Sequence, residues 1–114
     1  MTNETQKDST DASTAKLRGK QARHLRALGH HLQPVIFVGK EGVTESLIRS
    51  TDEVITVREL IKVKLQQNSP VAKEEAAEHL ARATNSAVAQ IIGRTILLYR
   101  ENPDLPAETK IKLP

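Results

Sequence analysis

Gly39-Lys40-Glu41-Gly42 sets two glycines around a charged pair, directly after the apolar run Val35-Ile36-Phe37-Val38 and ahead of a segment with helical periodicity. A loop between a buried strand and a helix N-terminus can turn its amides, and the positive end of the helix dipole, toward an anion. Glycine allows the backbone to come close. Lys40 adds a point charge to the same place. Glu41 opposes an anion unless its carboxylate turns away. Two glycines flanking a polar pair also make an ordinary turn, so the spacing supports an anion site and a plain connection equally. The second candidate group lies upstream, where Lys16, Lys20, Arg23 and Arg26 belong to a stretch with five Lys or Arg and no acidic residue between Lys16 and Leu32. A helix built only for solubility mixes signs in i,i+4 pairs, so a one-signed face points to a polyanion.

Other chemistries find no residues to carry them. With no cysteine there is no disulfide and no thiolate metal site. His24, His30, His31 and His79 do not form the i,i+4 pair with a carboxylate that a zincin helix needs, so no metal is expected. A phosphate-binding Walker loop, a dinucleotide fingerprint and a hydrolase Ser elbow are all missing. Glu74, Glu75 and Glu78 are expected to be the solvated face of a helix, with Glu78 paired to Arg82. No catalytic residue and no cofactor site are expected. Phe37 and Tyr99 are the only aromatics. Without a set of rings for bases to stack on, any nucleic-acid binding is expected to rest on backbone contacts and shape, with strong salt dependence and little sequence preference.

At 114 residues the chain suffices for one compact domain. Its formal charge of +3 is unevenly spread. Residues 1–14, with Glu4, Asp8 and Asp11 against Lys7, have a composition that cannot build a core and are expected to be a disordered tail. Lys16 to Arg100 carries fourteen Lys and Arg against eight Asp and Glu, so the folding part is the more basic one. No run is long and apolar enough to span a membrane and no secretory signal is visible, so a cytoplasmic location is expected.

The elements that position the two candidate groups follow from periodicity. A first helix over about Ala15 to His30 places Leu17, Leu25, Leu28 and Leu32 near one face, and stops near Gly29 and Pro34. Val35 to Val38 is expected to be a strand buried on both faces. Thr44 caps a second helix running to about Arg58, with Leu47, Ile48, Thr51, Val54 and Ile55 inward. Leu60 to Leu65 alternates as a strand with Lys62 and Lys64 on its wetted side. A third helix, about Val71 to Thr84, has Ala72, Ala76, Leu80 and Ala83 as its inward stripe. Ala87 to Ile92 and Thr95 to Arg100 form a hairpin through a type II′ turn at Gly93-Arg94, with Ile92 opposite Thr95. That register puts Ala89, Ile91, Ile96 and Leu98 on one face. It leaves Val88, Gln90, Leu97 and Tyr99 on the other, to be covered by the first helix or by the tail around Ile111 and Leu113. The fold class is therefore α/β (α+β), one domain in the order α-β-α-β-α-β-β. Three helices pack on a four-stranded mixed sheet that contains a right-handed parallel crossover. The domain is expected over residues 15–101, followed by a C-terminal tail over 102–114.

Leu25-Arg26-Ala27-Leu28-Gly29-His30, Leu32-Gln33-Pro34-Val35, Val38-Gly39-Lys40-Glu41-Gly42-Val43-Thr44 and Glu59-Leu60-Ile61-Lys62-Val63-Lys64, with Gln90-Ile91-Ile92-Gly93-Arg94 and Leu97-Leu98-Tyr99-Arg100, occur in this order. Together they resemble the YhbY family, the stand-alone bacterial members of the chloroplast RNA splicing and ribosome maturation (CRM) domain. The resemblance covers Lys16 to Arg100. It implies an RNA-binding module without catalytic activity, related in fold to the C-terminal domain of a bacterial translation initiation factor and linked to precursors of the large ribosomal subunit. It maps the family's G-x-x-G loop onto Gly39, Lys40, Glu41 and Gly42, and its basic helix onto Lys16, Lys20, Arg23 and Arg26. The expected partner is RNA, in particular large-subunit precursor rRNA, with ribosomal proteins as further candidates and the chain itself a monomer. The alternative from another class is a protein-interaction module whose basic helix docks on ribosomal or acidic proteins. A third reading, an enzyme holding a phosphorylated small molecule at the loop, lacks a general base or nucleophile beside it.

Overall fold

The structure is a computed structural model that describes residues 17–114. The tail expected over residues 1–14, and the candidate Lys16, lie outside the described residues. Seven elements follow in the expected order: α1 (Gly19–Gly29), β1 (Pro34–Val38), α2 (Glu45–Arg58), β2 (Leu60–Leu65), α3 (Lys73–Thr84), β3 (Ala87–Ile92) and β4 (Thr95–Tyr99). The four strands form one sheet in the order β1-β2-β4-β3, with β1 parallel to β2 and the other neighbours antiparallel.

Each helix ends where local chemistry stops it. α1 starts later than its apolar spacing suggests, because Leu17 and Arg18 precede it and the Arg18 amide donates to Gln21 Oε1 at 3.1 Å. At the start of α2, Thr44 Oγ1 accepts from the Leu47 amide at 3.1 Å, the expected cap. α3 ends at Asn85, which takes the left-handed conformation at φ 57°, and the Ser86 amide closes the turn onto Ala81 O at 2.8 Å. The inward face of α3 is rotated from the expected one. Ala76, Ala77, Leu80, Ala81 and Thr84 are buried, whereas Ala83 is exposed and Ala72 sits before the helix as its cap.

The sheet carries a core on each face. On one side α2 and α3 cover Ile36, Val38, Ile61, Val63, Leu65, Ile96 and Leu98. On the other, Leu25 of α1 packs with Leu60, Ala89, Leu97 and Tyr99, and Leu17, Leu32, Ile111 and Leu113 close over them. The helix and the tail thus both cover this face. Gly29 lets α1 lie close on β4, since a Cβ there would stand 2.7 Å from Leu97 Cδ1.

Two expectations about faces are corrected. Ile92 does pair with Thr95, and Gly93 has the positive φ of the expected turn, at 58°. The register then shifts between Val88 and Gln90, and this irregularity carries Ala89 onto the α1 face, away from Ile91 and Ile96. β1 is an edge strand that α1 does not cover, so it is buried on one face only. Phe37, expected inside, is 48 % exposed.

The tail is fastened by one carboxylate. Glu59, between α2 and β2, has φ 66° and a fully buried side chain. Its Oε2 accepts from the Asn102 amide at 2.7 Å and its Oε1 from the Ile111 amide at 2.8 Å, with Lys110 Nζ 3.5 Å from Oε2. Its own carbonyl accepts from the Arg100 amide at 2.8 Å. Burial, with the nearby Glu59 and Glu101 carboxylates, pushes the Tyr99 phenol up to about 12. The unfolded chain then gives up this proton first, so the associated stability is intact below pH about 10 and is lost as the pH climbs toward 12. Glu59→Gln is expected to lower the unfolding free energy by about 2 kcal/mol in urea denaturation, because an amide NH2 is turned toward a buried backbone donor. In the same variant the single tyrosine is expected to titrate at lower pH by absorbance.

Candidate nucleic-acid interface

The Gly39–Gly42 segment is a β-turn closed by the Gly42 amide donating to Gly39 O at 3.0 Å. Lys40 and Glu41 stand exposed at its apex, while Gly42 is buried with φ 73°. Of the two glycines, Gly42 is the one its backbone requires, since Gln66 is exposed and its flexible side chain can move aside from a Cβ at position 39. A Cβ on Gly39 would lie 2.9 Å from Gln66 Oε1, and one on Gly42 would add left-handed strain against Pro70. The central amides, those of Lys40 and Glu41, donate to no acceptor among the described residues. The helix contributes less than the spacing suggested. Val43 and Thr44 intervene before α2, Thr44 takes the Leu47 amide, and Glu45 already places a carboxylate in the first turn.

Among the described residues three cations are held by carboxylates and the others, Arg18, Arg49, Arg58, Lys73, Arg94 and Lys112 among them, are not. Arg100 is a structural staple, its Nη1 donating to Asp52 Oδ1 at 2.7 Å and to Thr84 O at 2.6 Å. Arg82 pairs with Glu78 at 2.7 Å, as expected, and Lys110 is held by Glu59 and Glu101. By contrast, Lys20, Arg23, Arg26, Lys40, Lys62 and Lys64 make no ion pair with any carboxylate among the described residues. Lys20 and Arg23 are exposed on the outer side of α1. Arg26 instead lines a cleft of about 210 Å³ with His30, Lys62, Gln90, Ile92, Thr95 and Leu97.

That cleft joins residues that spacing alone kept apart. Arg26 and Lys62 come from α1 and β2, and no acidic side chain lines the space between them. Like charges converging without a counter-charge cost free energy that an anionic ligand relieves. The loop and the helix stand on different parts of the sheet: α1 packs on β2, β3 and β4, whereas Gly39 follows β1 at the sheet edge. They flank a strip of open sheet. Lys62 and Lys64 were not candidates from the sequence, although the alternation of Ile61, Val63 and Leu65 with Lys62 and Lys64 already marked the two lysines as facing outward, whereas His30, at the end of the cationic helix, was open to phosphate or base contact from its position alone. That Lys62 shares a cleft with Arg26 depends on the docking of α1.

A family model described as the CRS1 / YhbY (CRM) domain matches residues 17–100. The chain belongs to this family. A Bacillus subtilis protein named a probable RNA-binding protein is 43% identical over 98 residues, spanning 86% of this chain and 99% of that one. A Haemophilus influenzae protein named an RNA-binding protein is 36% identical over 98 residues, with 86% of this chain and 95% of that one covered. Among solved structures, a Staphylococcus aureus protein described as a candidate RNA binder superposes with a TM-score of 0.72 at 42% identity, over 87% of this chain and 100% of that one. The CRM fold therefore supplies the frame on which the cations described above stand. Among the described residues no helix is long and apolar enough to cross a membrane, and no group of metal-ligating side chains is gathered.

Because Gly42 is buried at positive φ, Gly42→Ala is expected to lower the melting temperature, with a cost of about 1–2 kcal/mol at this position. Replacement of the exposed Glu41 by alanine is expected to leave thermal melting unchanged within about 0.5 kcal/mol.

Proposed function

We propose that this protein binds RNA by its sugar-phosphate backbone, without catalysis, and acts in the cytoplasm as a monomer on precursor rRNA of the large ribosomal subunit. The observation that carries the reading is the cleft where Arg26, His30 and Lys62 meet without an acidic neighbour. It continues in the exposed Lys20 and Arg23 of α1 and, beyond the open sheet, in Lys40 of the turn. The names of the relatives, which describe RNA binders, support the choice of polyanion. In this reading the Lys40 ammonium and the amides of Lys40 and Glu41 hold phosphate oxygens, and the Glu41 carboxylate turns to solvent. Lys16, which continues the basic segment in sequence, extends the footprint with Lys20, Arg23 and Arg26.

A second reading, a protein-docking module, is favoured by a different surface. Leu28, Leu32, Val57, Leu60 and Ile111 line an apolar cleft of about 370 Å³, and Val57 is 67 % exposed. Co-sedimentation with ribosomal particles that survives complete RNA digestion would favour that reading.

For the leading one, combining Lys40→Ala with Arg23→Ala is expected to weaken binding to unrelated RNA sequences alike. The slope of log affinity against log salt should become shallower by about 1.4–1.8, the loss of two phosphate contacts. An unchanged slope in a fluorescence titration would remove these residues from the interface. Crosslinking in cells with sequencing of the bound RNA is expected to enrich one region of large-subunit rRNA.

A further inference from the structure

The α1 face of the sheet has one cross-strand row that neither α1 nor the tail covers. Phe37 of β1 pairs with Lys64 of β2, Lys64 with Thr95 of β4, and Thr95 with Ile92 of β3. All four project to the same side, opposite the core formed by Ile36, Val63, Ile96 and Ile91. The adjacent row runs Lys62, Leu97 and Gln90. There the cover begins, with Leu97 buried by α1 while Lys62 and Gln90 still line the open cleft.

The open row is unlike an ordinary wetted strand face. Phe37 is 48 % and Ile92 62 % exposed, so its two ends are apolar, and Lys64 stands between them, exposed. Directly paired residues place their Cβ atoms about 5 Å apart, so the Lys64 ammonium lies within reach of anything resting on the Phe37 ring. From β1 to β3 the row crosses three strand spacings, about 14 Å. Its Phe37 end is two residues from Gly39, and its Ile92 end adjoins Gly93-Arg94 and the cleft of Arg26, His30 and Lys62.

We propose that this row is a platform for an unpaired RNA strand, with a base stacked on Phe37 and the flanking phosphates held by Lys64, Lys62 and Arg26. The proposal rests on the RNA-binding reading and narrows it from backbone recognition in general to single-stranded segments. Only unpaired nucleotides offer the two components that the row is made for. An aromatic ring beside a lysine suits a base face joined to a phosphate, and the bases of a duplex are stacked on each other with their faces closed. Gln90, an amide with both donors and an acceptor at the cleft wall, can hydrogen-bond a base edge. A second copy of this chain is disfavoured as the occupant, because it would bring the same lysines against Lys62, Lys64 and Arg26. The sequence-based expectation that too few rings exist for stacking counted rings. One exposed ring, placed between two basic elements, is enough for one base.

The chain contains no Trp, so Phe37→Trp introduces a single tryptophan, excited selectively over Tyr99, at the stacking position. A single-stranded oligonucleotide of about 12 nucleotides, within the usual site size, and a duplex of the same sequence serve as probes. Phe37→Ala is expected to weaken single-strand binding about tenfold and duplex binding less than twofold. Phe37→Trp is expected to restore affinity, with fluorescence quenched by the single strand at the same midpoint as its anisotropy change. Circular dichroism melting checks that these exposed-site variants are folded. If Phe37→Ala leaves single-strand affinity unchanged while Lys40→Ala with Arg23→Ala reduces it, the stacking platform is wrong and the RNA-binding reading stands. If the unsubstituted protein binds neither probe, both fail. Quenching of Phe37→Trp that depends on protein concentration without RNA would assign the row to contact between copies and overturn the proposal.

Discussion

A four-stranded sheet has two faces to keep dry, and this chain has two helices for one and a single helix for the other. The shortage is met by the C-terminal tail, which is held by the buried carboxylate of Glu59. A charged group without solvent is tolerated only where its oxygens are fully employed, and here two backbone amides and Lys110 employ them. With the tail in place, Leu60, Leu97 and Tyr99 are covered from one side by Leu25 and from the other by Ile111 and Leu113. The cover ends there. The remaining row, from Phe37 to Ile92, stays open because no further segment lies over it among the described residues.

The open strip and the cations belong to one arrangement. α1 must cross β2, β3 and β4 to bury Leu25 and to bring Gly29 against Leu97, and this crossing carries Arg26 and His30 to the edge of the strip beside Lys62. β1, left outside the crossing, ends in the turn that raises Lys40 on the other side. The packing that stabilises the domain thus also fixes the spacing between its basic elements. The cations that serve the fold, Arg100 and Lys110, are engaged by carboxylates and carbonyls, while Arg82 pairs with Glu78 on the exposed side of α3.

Much of the frame was legible in the sequence. The alternation of Leu60 to Leu65, the Thr44 cap, the glycine of the hairpin turn and the opposition of Ile92 to Thr95 all depend on interactions between residues near in sequence, or on a two-residue side-chain period. The ordered set of segments that resembles YhbY proteins identified the family. Less legible was everything set by what packs on what. The register shift beside Ala89 moved one alanine across the sheet, and the roll of α3 exchanged Ala72 and Ala83 for Ala77 and Ala81. Several alanines of α3 have nearly equal claim to face inward, so the apolar pattern left its rotation open.

Phe37 shows most clearly where the two levels part. The sequence by itself determined the order of the elements, the G-x-x-G turn, the one-signed charge of the first helix and the outward lysines of β2, because local period, turn geometry and charge are properties of neighbouring residues. Only the tertiary structure decided that Phe37 lies bare on an edge strand, that Arg26 meets Lys62, and that Glu59 binds a tail more than forty residues away. Burial and the meeting of distant charges depend on which surfaces the packed elements cover, and that is a property of the assembled sheet.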